Sequence, residues 1–444
     1  MASTWISRAA TGSVTSSTTF TFSFWIKRGT LDTTQYFFIH ENASGHTQKL
    51  ELLFQTDNTI RMGWYDGSSE YNYDTEMVFR DTSAWYNFVF RYDTTQSTDS
   101  DRVRMYVNGE QISYLNANGS SPTYMTQNKA MNLGQKVMVH GRYQSSNPGN
   151  YLTGSLSHIH YCDGQSYAPT SFGETDSTTG EWKINANPSL TYGNNGYFIL
   201  KDGNSVTNQA GNSSGNFSVS GGTLTKTEDC PSNVFATWNP LIPDVATLSN
   251  GNTTSSNTST SAWNRASCTL AETKGKYYAE FKMTTQEASQ VGVIDVDQAY
   301  GTTAQPRNSS KAYMYKENGQ KGNSGSDSSY GDTYTDGDII GVAVDLDNNK
   351  IYFSKNGVFQ NSGVPTSGST GTGSAFNLTD GYFYTFINGN YDSSGSGRID
   401  ANFGNGYFGT TAVSSAGTNA SGIGIFEYDV PTGYTALSTK GLNL

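Results

Sequence analysis

Asp295-Val-Asp297 sets two carboxylates two residues apart, and alternate residues of an extended strand share a face. Paired carboxylates can hydrolyse glycosides, one as acid and the other as base or nucleophile. His158 and His160 have the same spacing and could hold a metal from one strand face. No third ligand stands at a useful interval, so they read as hydrogen-bonded structural histidines and no metal site is assigned. Asp99 and Asp101, in the acidic stretch Asp93–Asp101, carry the oxygen ligands that Ca²⁺ takes. Asp-rich turns occur more often without metal, so calcium stays an alternative and no cofactor is assigned. No GxSxG elbow, P-loop or HExxH pattern occurs. The catalytic set is therefore read as empty and the solvated end of a strand is the expectation for Asp295 and Asp297.

Aromatic residues among short polar ones offer different chemistry. Trp64-Tyr-Asp-Gly-Ser-Ser-Glu-Tyr-Asn-Tyr73 ends a strand and enters a turn. Tyr300, Tyr313, Tyr315, Tyr330 and Tyr334 fall in the long polar stretch Asp297–Asp336. An exposed Tyr supplies contact area at small entropic cost, and neighbouring Asp, Asn and Ser fix orientation. Loops beyond about 12–15 residues are uncommon unless functional or disordered. Ala312–Lys316 reads as an added strand, which leaves Tyr300, Tyr330 and Tyr334 as the expected contacts of an adhesive patch. Trp64, Tyr65, Tyr71 and Tyr73 are the expected contacts of the first cluster. The competing reading is that alternating rings cover a sandwich face.

The elements that must position these residues are strands. Gly337–Gly357, GDIIGVAVDLDNNKIYFSKNG, alternates with a period of two, turns at Asp347-Asn348-Asn349 and pairs back through Ile351–Ser354. Arg102-Val-Arg-Met-Tyr-Val-Asn-Gly109 repeats the strand-then-Asn-Gly phrase in the first half. Thr18–Lys27 places Phe20, Phe22 and Phe24 on one face. The chain has 444 residues, 13% aromatic and only 15% charged, with 48 Gly. That composition suits short strands joined by turns, in two domains of about 200 residues each. The net charge of −11 argues against nucleic acid, which requires clustered Lys and Arg. Cys162, Cys230 and Cys268 are odd in number and have no CxxC spacing, so neither a disulfide framework nor zinc is expected. No apolar run approaches ~20 residues and the amino terminus has no hydrophobic signal core, so membrane insertion and ordinary secretion are not expected.

Phe22-Ser-Phe-Trp-Ile-Lys27, Trp85-Tyr-Asn-Phe-Val-Phe-Arg-Tyr-Asp93, Met105-Tyr-Val-Asn-Gly-Glu110 and Leu152-Thr-Gly-Ser-Leu-Ser-His-Ile-His-Tyr161 follow one another as in laminin G-like, concanavalin A-like domains. Residues 1–165 resemble that family, which implies a jelly-roll sandwich binding carbohydrate or protein through loops and one concave face. Glucanases of this fold carry a Glu-x-Asp-x-x-Glu strand. The positions matching its glutamates around Asp295 are Val293 and Gln298, so the resemblance supplies no nucleophile and no acid. Gly275-Lys-Tyr-Tyr-Ala-Glu-Phe281, Val291-Gly-Val293, Gly337-Asp-Ile-Ile-Gly341, Asp345-Leu-Asp347, Lys355-Asn-Gly357, Ala401-Asn-Phe-Gly404 and Pro431-Thr-Gly-Tyr434 resemble a SPRY domain. That implies a bent sandwich that recognises partners through its loops. Asp163-Gly-Gln-Ser-Tyr-Ala-Pro-Thr-Ser-Phe-Gly-Glu174 with Thr178-Thr-Gly-Glu-Trp182 resembles virion proteins of tailed phages from aquatic bacteria.

The expected architecture is all-β, with two jelly-roll sandwiches in tandem. Residues 1–165 form the first, 166–235 a return segment closing it, 236–246 a linker and 247–444 the second. The expected role is a virion component, of tail-fibre or receptor-binding type, exposed on the particle. It would contact host surface glycan or protein, or other virion proteins, as a homo-oligomer. A capsid decoration or head-fibre protein is the structural alternative, and a glycan depolymerase the catalytic one.

Overall fold

A computed structural model describes all residues except 1–3, 10, 42–47, 117, 132–136, 144–148, 202, 243–245, 258, 300–304 and 444. The chain divides into two units, Met1–Lys226 and Thr227–Leu444.

In the first unit the apolar alternation of Thr19–Arg28 makes that strand the middle of a six-stranded antiparallel sheet. The sheet runs Tyr197–Ile199, Gly154–Asp163, Thr19–Arg28, Trp85–Asp93, Val103–Val107, Glu110–Ile112. The facing sheet has eight strands, in the order Tyr114–Leu115, Glu70–Thr75, Ile60–Tyr65, Lys49–Phe54, Gln35–Glu41, Val137–His140, Trp5–Arg8, Ser218–Gly221. Phenylalanines fill the space between them: Phe22 stacks on Phe38 at 4.6 Å and Phe24 meets Phe37 at 4.9 Å. A register shift between Tyr36 and Phe38 lets the consecutive Phe37 and Phe38 both enter this core. His140 is buried here as well, with Nδ1 3.2 Å from the Phe37 carbonyl and Nε2 3.0 Å from the Tyr197 hydroxyl. Burial pushes its pKa down to about 3, so the ring is neutral at physiological pH. Residues 166–226 contribute the outermost strand at one edge of each sheet.

The second unit repeats the principle. Ile339–Asp345 and Lys350–Lys355 form the expected hairpin, and Lys276–Thr285 and Arg398–Asn402 continue that sheet. The opposing sheet runs Asn264–Ser267, Tyr384–Tyr391, Ala288–Asp295, Ala312–Lys316, Gln320–Asn323, Ser326–Ser329. Phe281, Phe353, Phe386 and Phe403 lie in the core between them.

The linker expected at 236–246 is corrected here. Trp238 is fully buried in the second core, edge-on to Phe403 at 4.9 Å. Phe235 and Ala236 are buried in the same unit, and the division falls between Lys226 and Thr227. The prolines around this segment do break regular structure. The apolar side chains between them nevertheless gain more from burial than an exposed connection would give.

Candidate functional site

Strand alternation decides the fate of the first aromatic cluster. Ile60–Tyr65 and Glu70–Thr75 pair antiparallel, with Trp64 opposite Tyr71 and Met62 opposite Tyr73. These residues face inward, and Trp64, Tyr71 and Tyr73 are buried in the first core. As contact residues all three are corrected, because a ring enclosed in the sandwich reaches no partner. Tyr65 has the opposite parity and stays half-buried on the outer face.

Tyr330 and Tyr334 are corrected too. The stretch holds the expected strand Ala312–Lys316, but what reads as loop beyond it also forms strands, Gln320–Asn323 and Ser326–Ser329, and both rings turn into the second core. Tyr330 lies edge-on to Phe353, with ring centres 6.0 Å apart. The Tyr334 hydroxyl is 3.1 Å from the carbonyls of both Ser289 and Tyr315. Tyr300 lies outside the described residues.

Tyr65 leads to a site that the aromatic pattern alone did not reveal. On the outer face of the eight-stranded sheet, Gly63 lies directly between Glu51 on one neighbouring strand and Asn72 on the other. A Cβ at Gly63 would come within 2.9 Å of Glu51 Oε1 and 3.1 Å of Asn72 Oδ1. The missing side chain thus leaves a notch in the strand that Glu51 Cγ and Oε1 and Asn72 Oδ1 lean in to fill. Asn72 Oδ1 is buried and has no hydrogen-bond partner, an arrangement that favours an incoming donor.

Charged groups frame the notch. Lys49 Nζ donates to Glu51 Oε2 at 2.8 Å, and Arg61 donates through Nε and a terminal nitrogen to the two Asp74 oxygens at 2.7 Å each. Burial pulls the Lys49 pKa down, but Glu51 outweighs it and the net shift is upward. Arg61 is raised chiefly by its hydrogen bond to Asp74. Burial, then the Glu51 charge, holds the Tyr36 hydroxyl well above its ordinary range. Tyr36 reaches this face because of the register shift that sends Phe37 inward. The sequence did hold one signal for this site: a glycine in the middle of an alternating strand often marks a close approach.

The other candidates separate. The strand Ala288–Asp295 ends at Asp295, which is buried, whereas Asp297 is exposed in a 3₁₀ turn. The two carboxylates therefore do not share a strand face as their spacing suggested. His158 Nδ1 lies 2.7 Å from Ser157 Oγ, and His160 Nδ1 lies 2.9 Å from the Tyr192 hydroxyl while its ring stacks on Phe198. Asp101 pairs with Arg104 at 2.6 Å, and Asp99 accepts the Ser100 N–H. Among the described residues no three His, Cys, Asp or Glu side chains converge in a way that could hold a metal.

The family model for the concanavalin A-like lectin/glucanases superfamily, of laminin G type, matches residues 2–165, and the SPRY domain model matches residues 276–384. Comparison with curated proteins gives no match. Among solved structures, the SPRY domain of human HERC1 is 18% identical with a TM-score of 0.26, over 32% of this chain and 82% of that one. A native heptameric SAP-like pentraxin from Limulus polyphemus is 16% identical with a TM-score of 0.26, over 37% of this chain and 71% of that one. Stonustoxin is 16% identical with a TM-score of 0.28, over 38% of this chain and 27% of that one.

Proposed function

We propose that this chain, a concanavalin A-like lectin-type sandwich followed by a SPRY domain, is an adhesive protein whose first domain binds a hydroxyl-rich glycan at the Gly63 notch. The observation that carries the reading is the pair of acceptors, Glu51 Oε1 and Asn72 Oδ1, leaning over a glycine. A sugar hydroxyl supplies the donor that Asn72 Oδ1 lacks, with Glu51 Oε1 as a second acceptor beside it, and the half-buried Tyr65 ring on the same face offers an apolar surface to the sugar.

On this reading the chain binds without turnover. Hydrolysis needs a protonated acid and a second carboxylate. At the notch Glu51 is paired with Lys49, and the residue across Gly63 is the amide Asn72.

The setting we propose is a bacteriophage particle, with the chain as a tail-fibre or receptor-binding component on its surface. It would act there as an assembly of identical chains, meeting host glycan or a neighbouring virion protein. The resemblance of Asp163–Glu174 to phage virion proteins supports this. A capsid decoration protein is the second reading, favoured by the same resemblance. Immunolabelling of purified particles tests both: label at the tail fibres is expected, label over the capsid favours the second reading, and unlabelled particles would overturn both.

A further inference from the structure

We propose that Lys311, Tyr382 and Phe383 form a second binding site, in the SPRY domain, for a carboxylate-bearing saccharide. This inference is independent of the Gly63 notch. Tyr382 and Phe383 are consecutive and remain 38% and 53% exposed, although most rings of this unit are in its core. An exposed aromatic pair at the end of a strand would ordinarily fold inward to bury its apolar area. Here the backbone holds it out. Thr379 donates its N–H to the Tyr313 hydroxyl at 3.2 Å, and its carbonyl accepts from the Tyr384 hydroxyl at 2.9 Å. The Phe383 carbonyl accepts the Val296 N–H at 2.9 Å. A platform fixed on both sides loses little entropy when a ligand arrives.

Charge selects the occupant. Lys311 Nζ stands 4.6 Å from the centre of the Tyr382 ring and 2.9 Å from Thr379 Oγ1. Among the described residues it makes no ion pair: the nearby Asp380 is paired with Lys274, and Asp295, which feels the Lys311 charge, is buried. The site thus offers the exposed Tyr382 ring under an ammonium that has no ion pair among the described residues, with the exposed Phe383 next to it in the chain. A pyranose ring with a carboxylate one bond away presents the matching set, a C–H face for the aromatic rings and an anion for the lysine. A neutral sugar would leave the ammonium unpaired, and a flexible acidic peptide would not use the platform.

The test is calorimetric titration of the full chain with de-esterified oligogalacturonate, alongside its methyl ester and poly-glutamate. Saturable binding of the acid form alone is expected. Phe383→Ala and Lys311→Gln should each weaken it about tenfold or more, as for a central contact, while Tyr65→Ala leaves it unchanged. The Phe383 side chain is exposed, so its removal should leave the melting temperature in place; if it does not, Lys311→Gln decides. No binding, equal binding of the methyl ester or of poly-glutamate, unchanged affinity in Lys311→Gln, or loss in Tyr65→Ala would each overturn the proposal. A failure confined to these reagents leaves the notch reading standing, because that reading concerns neutral hydroxyls on the other domain.

Discussion

Replacing Tyr334 with alanine is expected to cost the second domain about 3–5 kcal/mol, the range for deleting a buried aromatic ring. The side chain is 3% exposed, packs against Tyr315 with ring centres 5.3 Å apart, and places its hydroxyl 3.1 Å from two backbone carbonyls. Alanine removes the ring and opens a cavity, and it removes the hydroxyl shared by the two carbonyls, of which Ser289 keeps the Glu317 N–H at 3.1 Å. Tyr334→Phe retains the ring and should cost only the hydrogen bonding, about 1–2 kcal/mol. For a domain of this size the alanine variant should melt about 10 °C lower. Scanning calorimetry of the full chain checks this, with the transition of the first domain unmoved. A melting temperature unchanged by Tyr334→Ala would return this residue to the surface role that its polar sequence context suggested.

The second large effect is expected at Glu280. The carboxylate is fully buried, and its two oxygens accept the N–H groups of Glu427 and Tyr428 at 2.8 Å each. The Asn402 amide and the Tyr278 hydroxyl each lie 3.3 Å away. Burial dominates these bonds and raises the pKa from 4.5 to about 7. Between these two values the unfolded chain has released the proton while the folded domain still holds it. Stability therefore falls as pH rises through this window, by about 3 kcal/mol in all, and levels off above it. Glu280→Gln has no proton to lose and should lack the slope. Urea denaturation of both proteins from pH 4.5 to 8 should show the variant gaining on the wild type up to about pH 7. Parallel pH profiles would contradict the assignment.

The sequence made the strands legible because their period of two is strong. Thr19–Arg28 and the Ile339–Lys355 hairpin were readable from alternation and turn residues alone. Parity along Ile60–Tyr65 and Glu70–Thr75 was equally available, and it separates Tyr65 from Trp64, Tyr71 and Tyr73. What alternation does not give is which parity faces the core. The polar neighbours of these rings suggested solvent, but cross-strand pairing with Met62 sets the inward face. Tyr330 and Tyr334 were misplaced for a related reason. Gly, Ser and Asp dominate the stretch around them, so Gln320–Asn323 and Ser326–Ser329 carry little strand propensity and form as an edge of an existing sheet. Trp238 was hidden by the prolines around it. The notch was the least legible feature, because it depends on one absent side chain and on register across three strands.

The central claim is that the outer face around Gly63 binds glycan, and the most direct measurement is a glycan array probed with the full chain and two variants. Tyr65→Ala removes a half-buried ring and Asn72→Ala removes the unpartnered acceptor, so neither should disturb the core. The wild type should retain at least one neutral glycan. Each variant should lose about tenfold or more of that affinity, the size expected when a ring or a hydrogen-bond acceptor central to a contact is removed, with melting temperatures unchanged. Retention of no neutral glycan by the wild type, or of the same glycan with undiminished affinity by both variants, would contradict it.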